Sequence, residues 1–347
     1  MQEKSEMAGK TWVLTLTSVA SFMVALDALV VTTALSTIRI DLGASIEALE
    51  WTVNAYNLSF AVLLLSGAAL GDRFGRRRSF AAGLSLFVVA SAACALAGNI
   101  GALIAARAVQ GAGAALVMPL AMALLSAAFP REERGKALGI FSAVTGLALI
   151  AGPVAGGAIA DGLAWQWIFW INFPVGVIVI PLILRRIRES VGSGTGLDVV
   201  GLVLVTAAAM GVVWGMMRAK SAGWLSLEVV LTLAAGILLA VAFVLWELRA
   251  SEPMVPMRLF RSRAFSSGIA ASFLFYASMY GTLFFLPQFL QVAQGHGPFG
   301  VGLRLLPGPP PSSFSRRSAA GSSTASASGR WSRPGSGCKP LAWPGLR

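Results

Sequence analysis

The stretch that decides the fold is GLALIAGPVAGG, residues 146–157, which sets a Gly-Pro pair and further glycines inside an apolar run. Pro153 lacks a backbone N–H donor, so it is expected to kink a helix. Gly152 and Gly156 are four residues apart and share one helix face. Small residues on one face let two helix backbones approach closely in lipid. A membrane helix with a kink and a smooth face is suited to movement, which favours a transporter over an anchor or a membrane-tethered enzyme.

Composition indicates a polytopic membrane protein. Of the 347 residues, 56% are hydrophobic and 12% are charged, whereas a soluble domain carries about 25% charged residues. A helix that spans a bilayer needs about 20 mostly apolar residues. The predicted spans cover residues 12–35, 50–70, 79–98, 101–127, 138–160, 167–184, 198–217, 225–246 and 266–289. We therefore expect an all-α protein that crosses the lipid bilayer nine times.

The net charge of +12 is distributed unevenly about these spans. Loops on the side of the N-terminus hold 16 Lys and Arg residues, and loops on the opposite side hold 4. Cytoplasmic loops of membrane proteins carry such an excess, so the N-terminus is predicted to be cytoplasmic. The basic charge then reflects orientation in the membrane, and no nucleic-acid partner is expected.

Polar breaks and changes of composition divide the chain. The predicted divisions are a cytoplasmic N-terminus (1–10), a six-span bundle (11–187), a linker (188–197), two extra spans (198–247), a cytoplasmic loop (248–265), a further span with its outer loop (266–307) and a tail (308–347). The tail is rich in Ser, Pro, Gly and Arg and has no acidic residue, a composition typical of disorder. An ordinary flexible tail is the alternative, but because composition changes abruptly after Pro307, we expect this tail to be out of the reading frame.

Span one contains a single carboxylate, Asp27, among apolar neighbours. An ionised carboxylate at the centre of a membrane costs about 2.5–3.5 kcal/mol, so such residues are usually functional. Burial favours the neutral form of a carboxyl group, which would allow Asp27 to bind and release protons. The alternative is a structural carboxylate that is paired permanently with a neighbouring helix.

Span four contains RAVQGAGAALVMP, in which Arg107 is the one cation well inside the predicted hydrocarbon. Gln110 and Gly111 share its helix face. At 1.5 Å of rise per residue, Asp27 lies about 12 Å from the outer end of span one, and Arg107 about 9 Å from the outer end of span four. This similar depth predicts a buried ion pair in which each charge reduces the desolvation cost of the other.

Two further segments carry polar or aromatic patterns. GDRFGRRRSF, residues 71–80, lies between spans two and three, where Asp72 is expected to cap a helix end and Gly75 to shorten the turn. The arginines suit a charge-linked hinge at a cytoplasmic loop. WQWIFWINFPVG, residues 165–176, precedes span six. An aromatic belt at the membrane boundary accounts for each tryptophan, but it does not account for Asn172 or for the string as a whole.

Together these segments resemble the major facilitator superfamily, and in particular its fourteen-span drug:proton antiporters of the EmrB/QacA type, over about residues 11–307. The motif B pattern is met by Leu103, Arg107, Gln110, Gly111 and Gly113. The antiporter motif C is met by Gly139, Gly146, Gly152, Pro153, Gly156 and Gly157. Motif A is met by Leu70, Asp72, Arg73, Gly75, Arg76 and Arg77, although Ala68 stands where its first glycine is usual and Gly67 is displaced by one position.

The resemblance implies a fold with a complete N-terminal six-helix bundle, two linker helices and an incomplete C-terminal bundle. Proton coupling would rest on Asp27 and Arg107, while Asp72, Arg73, Gly75, Arg76 and Arg77 would form a gate. Gly146, Gly152, Pro153, Gly156 and Gly157 would form the antiporter hinge, and Gln110, Gly111 and Gly113 the motif B packing surface. The implied function is export of small amphipathic or cationic compounds in exchange for protons, across a bacterial-type plasma membrane, without a cofactor.

Alternatives to this function remain open at this stage. A proton-coupled symporter has the same architecture. A non-transporting fragment or partner subunit fits the tail, and we expect the chain of 347 residues to be inactive unless it pairs with another chain. A membrane enzyme fares poorly, because we find no nucleophile–base pair, phosphate loop or metal cluster in the sequence. Neither the identity of the substrate nor the oligomeric state can be predicted.

Overall fold

A computed structural model describes residues 2–162, 164–192, 198–250, 253, 255 and 257–293. Within these residues the chain forms α-helices and one 3₁₀ turn, and no strand. The helices are α1 Gln2–Leu42, α2 Ile46–Phe74, α3 Arg76–Ala95, α4 Ile100–Ala128, α5 Arg131–Gly162, α6 Trp167–Trp170, α7 Asn172–Arg186, α8 Val199–Ala222, α9 Leu227–Glu247 and α10 Arg263–Val292; the 3₁₀ turn is Met257–Arg261. The chain is therefore all-α in its described part, as predicted.

Short polar residues and glycines set the helix ends. Five helices begin after an N-cap whose side-chain oxygen accepts a hydrogen bond from the backbone N–H three residues later: Ser45, Asn99, Asp198, Ser226 and Ser262. Such a cap satisfies a donor that the first turn would otherwise leave unpaired. Three helices end at a glycine with positive φ, a conformation that other residues rarely adopt: Gly43, Gly75 and Gly223.

Eight segments in the described part of the chain are long and apolar enough to cross a membrane: Met7–Thr32, Ile46–Phe74, Arg76–Ala95, Ile100–Ala128, Arg131–Gly156, Trp167–Arg186, Val199–Ala219 and Leu227–Glu247. They correspond to the first eight predicted spans. The ninth predicted span falls within α10, and its passage through the membrane stays a prediction. That helix begins at Arg263, inside the predicted loop 248–265, because Ser262 caps it.

Helix α4 lies at the centre of the packing. A side chain at Gly67 in α2 would overlap the backbone carbonyl of Ala115 in α4. A side chain at Gly83 in α3 would overlap Leu116 in α4. Small residues thus let α2 and α3 approach the backbone of α4 closely. A small residue is therefore required at position 67.

Helices α1 and α5 run in the same direction and keep one register. Lys10 at the start of α1 pairs with Glu133 at the start of α5, with 2.7 Å between Nζ and Oε2. The two residues are 123 positions apart in the chain. Further along, a Cβ at Gly152 would lie 2.7 Å from the Cβ of Leu29, and these residues have the same separation. The two helices therefore stay aligned over about five turns.

Helices α8 and α9 form a pair of their own. A Cβ at Gly211 in α8 would lie 2.9 Å from the Cα of Gly236 in α9. Arg218 and Glu228 pair across the connection, with 2.9 Å between Nε and Oε1. The pair contacts α2 through a hydrogen bond of 3.1 Å between the hydroxyls of Ser66 and Thr206.

Candidate functional site

The centre of the bundle holds a buried ion pair between α1 and α4. The Nη1 atom of Arg107 lies 2.5 Å from Oδ2 of Asp27. The exposed fractions of these residues are 0% and 2%. The contact that similar depth in the membrane predicts is therefore present, although the functional role of the pair stays a prediction.

The Asp27 carboxylate accepts two more hydrogen bonds, both at Oδ1. Gln110 donates from Nε2 at 2.9 Å, and Asn172 donates from Nδ2 at 2.8 Å. With Arg107, three N–H donors surround the group, an arrangement that suits an ionised carboxylate because it only accepts. These bonds offset part of the cost of burying the charge.

Arg107 reaches three other groups. Its Nη1 also donates to Oε1 of Gln110 at 2.8 Å, and its Nε donates to the carbonyl of Thr52 in α2 at 3.2 Å. The guanidinium carbon lies 4.1 Å from the ring centroid of Tyr56, a cation–π contact that is strong when it excludes water. Its remaining group, Nη2, is buried without an acceptor among the described residues. The arginine thus keeps a donor with which it could engage a new partner.

Asn172 is a residue of this cluster that the sequence did not assign, as are Thr52 and Tyr56. Short helix α6 ends at Trp170, and α7 begins at Asn172 after the turn at Ile171. Asn172 is 1% exposed, and its Nδ2 donates to Oγ of Ser91 in α3 at 3.0 Å as well as to Asp27. The hydroxyl of Ser91 donates in turn to the carbonyl of Phe169 at 2.9 Å. The available signal was an asparagine inside an aromatic string that a membrane belt does not explain.

Trp165 corrects the expectation of an aromatic belt at this point. Its side chain is buried, and its Nε1 donates to Oδ2 of Asp41 in the last turn of α1 at 2.7 Å. Trp167, by contrast, is 53% exposed and fits the belt. The tryptophans of the string therefore have different roles, since Trp165 joins the segment before α6 to α1 by a hydrogen bond.

The residues expected to form the gate surround the turn between α2 and α3. The Nε of Arg76 lies 2.6 Å from Oδ1 of Asp72. Gly75, with φ of +100°, is the cap that ends α2, so the expectation that Asp72 caps this helix is wrong. Arg73 does not join the pair; its guanidinium lies over the ring of Phe74 at 5.8 Å.

Glu189 completes this cluster from the segment after α7. Its Oε1 accepts from the backbone N–H of Arg77 at 2.9 Å, and its Oε2 lies 3.5 Å from Nε of Arg77. The backbone N–H of Arg76 donates to the carbonyl of Ser190, and that of Gly192 to the carbonyl of Asp72, both at 2.9 Å. The first part of the predicted linker is therefore bound to the α2–α3 turn, while residues 193–197 lie outside the described residues.

The glycines of α5 and α4 differ in their surroundings. Gly139 and Gly146 face open space, whereas Gly152 lies against Leu29 and Gly156 is buried; Pro153 and Gly157 also lie within α5. In α4, a side chain at Gly111 would overlap Ser59 and the carbonyl of Tyr56 in α2. A Cβ at Gly113 would lie 2.6 Å from the backbone N of Phe87 in α3. Close approach is thus required at Gly152, Gly111 and Gly113.

Among the described residues, no group of His, Cys, Asp or Glu has the arrangement of a metal site. His296 and the predicted tail 308–347 lie outside those residues.

Comparison with known proteins places the chain in a family. The model of the Major Facilitator Superfamily matches residues 17–334. A tetracenomycin C resistance and export protein of Streptomyces glaucescens is 38% identical over 87% of this chain and 57% of its own length. A methylenomycin A resistance protein of Bacillus subtilis is 35% identical over 88% of this chain and 66% of its own. The chain therefore spans somewhat more than half the length of these curated relatives.

Solved structures agree on the fold. The crystal structure of a peptide transporter, POT, in complex with sulfate superposes with a TM-score of 0.57 over 85% of this chain and 64% of that one, at 16% sequence identity. At that identity the likeness concerns the fold alone. On the family match, the apolar helices and this likeness, the chain is a multi-pass membrane protein that belongs to the Major Facilitator Superfamily.

Proposed function

We propose that the chain serves the export of small amphipathic or cationic compounds in exchange for protons, with Asp27 as the group that binds either the proton or the substrate cation. The observation that carries this proposal is a carboxylate buried at mid-helix and held by one arginine and two amides. The names of its relatives, which concern resistance to and export of antibiotics, support the substrate class.

The charges of the site suggest how the exchange works. A proton on Asp27 removes the negative charge that holds Arg107, whose Nη2 is already without an acceptor among the described residues. A substrate cation near the carboxylate would instead compete with the proton. Because one carboxylate cannot hold both, uptake of one species favours release of the other, which is the basis of antiport.

The moving parts would be the hinge and the gate. Gly152, at the close contact with α1, and Pro153 would allow α5 to bend. Asp72, Arg76 and Arg77 would open and close one end of the bundle by exchanging partners. We place this gate on the cytoplasmic side, with the N-terminus, because the excess of Lys and Arg lies on that side. Helices α8 and α9, which follow the sixth span, favour the fourteen-span antiporter type.

Competition for Asp27 can be measured on the chain itself. In weakly buffered detergent solution, binding of the lipophilic cation tetraphenylphosphonium to the purified chain should release a proton, detected with a soluble pH indicator. Asp27→Asn should abolish proton release. Asp41→Asn is the matched control, since Asp41 lies on the same helix but at its exposed end, and it should release protons normally. Proton release that survives in Asp27→Asn would contradict the proposal.

A further inference from the structure

We propose that Asn172 and Ser91 form a hydrogen-bond relay that reports the protonation of Asp27 to the junction between α6 and α7. Both are positioning residues, since they act through Asp27 and through the backbone. The inference rests on the proposed function, because it requires that Asp27 takes up a proton. It goes further by naming the residues that convert this proton into a change of backbone contacts.

The first step is the site of protonation. Oδ2 of Asp27 faces Nη1 of Arg107, which is a donor only and cannot accept a bond from a new O–H group. Oδ1 faces the amides of Gln110 and Asn172, and each amide also carries an accepting oxygen. A proton from water therefore forms its O–H bond at Oδ1, and one of the two amides must turn to accept from it.

Gln110 is not free to turn. Its Oε1 accepts from Nη1 of Arg107 at 2.8 Å and from the thiol of Cys94 at 3.5 Å. If this amide reversed, its NH₂ group would face the guanidinium, and two donors would oppose each other. Asn172 has no such constraint at its second contact, because the hydroxyl of Ser91 can either donate or accept. When Asp27 is protonated, it is therefore the amide of Asn172 that turns and accepts the new hydrogen bond.

The second step follows from the single proton of the Ser91 hydroxyl. At present Ser91 accepts from Asn172 and donates to the carbonyl of Phe169. Once Asn172 presents its oxygen, Ser91 donates to Asn172 and can no longer donate to Phe169. The Phe169 carbonyl then loses its side-chain partner. No other proton is gained or lost, and the reverse sequence restores the bond when Asp27 releases its proton.

The Phe169 carbonyl lies where this loss has an effect. Phe169 is the third of the four residues of α6, and the turn at Ile171 separates this helix from α7. Ile171 is 43% exposed, so a looser junction changes its accessibility. Among the described residues, the other charged or titratable side chains near Asp27 are Arg107 from α4, Tyr56 from α2 and Cys94 from α3. The nearby described residues of α6 and α7 are uncharged.

The test measures protonation and accessibility separately. Infrared spectroscopy measures the protonation of Asp27 through its carboxyl band, which is identified by its absence in Asp27→Asn. The accessibility of position 171 is measured as the rate at which a maleimide alkylates Ile171→Cys. The background is Cys338→Ser, and Cys94 is retained because it is buried. Each rate is divided by that of Leu225→Cys, a position that is 95% exposed, which cancels the intrinsic pH dependence of thiols. We expect the ratio to rise about two- to tenfold as Asp27 becomes protonated, the effect of one hydrogen bond.

Ser91→Ala decides whether the relay carries the signal. The variant should still show titration of Asp27, but the alkylation ratio should be high and independent of pH. Asn172→Ala should also remove the pH dependence. The matched control is Ser85→Ala on the same helix, whose hydroxyl bonds only to the carbonyl of Ala81, and it should behave like the unchanged chain.

The two proposals fail in different ways. If no carboxyl band assigned to Asp27 titrates in the unchanged chain, the proposed function is wrong. If the band titrates but the alkylation ratio stays flat, or if the ratio still rises in Ser91→Ala, the relay is wrong and the proposed function is untouched.

Discussion

The molecule has two Arg–Asp ion pairs in opposite surroundings, one buried and one exposed. In the centre, Arg107 and Asp27 have side-chain exposed fractions of 0% and 1%. At the α2–α3 turn, the corresponding fractions for Arg76 and Asp72 are 22% and 51%. The N–O distances are nearly equal, 2.5 and 2.6 Å. The comparison teaches that burial, rather than distance, decides what such a pair contributes, because water and salt screen only the second pair.

The strongest way to break this comparison is Arg107→Gln. Removing one partner leaves a buried carboxylate with reduced compensation, so we expect a loss of about 3–5 kcal/mol in the free energy of unfolding. Titration with a denaturing detergent, followed by circular dichroism, measures it. Asp27→Asn combined with Arg107→Gln should recover much of the loss. Additive effects of the two substitutions would show that the ion pair is not energetically coupled.

A glycine substitution sharpens the comparison at the exposed cluster. Gly75→Ala and Gly43→Ala both place a side chain at positive φ, which costs about 1–2 kcal/mol. A Cβ at Gly75 would also lie 2.8 Å from Oε1 of Glu189, while one at Gly43 meets open space. Gly75→Ala should therefore lower the thermal midpoint more than Gly43→Ala does. Equal shifts would mean that the contact with Glu189 is easily displaced.

Glu189→Gln probes the contact between the α2–α3 turn and the segment after α7. The side chain of Glu189 is 25% exposed, which lies between the carboxylates of Asp27 and Asp72 at 1% and 51%. Loss of its charge should cost about 1–2 kcal/mol, since bonds to charged groups exceed neutral ones. The local readout is faster trypsin cleavage after Arg188. Arg131→Gln, at the first residue of α5, is a control that should leave this cleavage rate unchanged.

The smallest effect is expected for Asp72→Asn. An exposed ion pair contributes less than about 1 kcal/mol, so the unfolding free energy should fall by that amount or less. The difference from the unchanged chain should vanish at high salt, where the Debye length is short. The effect of Arg107→Gln should persist under the same salt. If the loss of unfolding free energy in Asp72→Asn did not depend on salt, the two ion pairs would not differ in their screening and the comparison would fail.

The sequence predicted those features that depend on short-range pattern. Apolar run length placed eight helices, and the rise per residue was enough to match the depths of Asp27 and Arg107. It did not find Asn172, because that contact joins residues 145 positions apart through a helix break at Ile171. It also assigned Glu189 only to the linker 188–197. Both misses concern which segments of the chain meet after folding, and run length carries no information on that.

The register of α1 and α5 has a mechanical consequence. Helices α1 and α5 touch at two separated points, the Lys10–Glu133 pair and the contact of Leu29 with Gly152, so a sliding of one helix along the other would break both contacts. A tilt of either helix that keeps both contacts moves the other helix with it. Asp27 lies two residues before Leu29, so a bend of α5 that keeps the contact with Leu29 also changes the depth of the Asp27 carboxylate. This coupling needs no hydrogen bond between Asp27 and α5, and there is none in the described part of the chain.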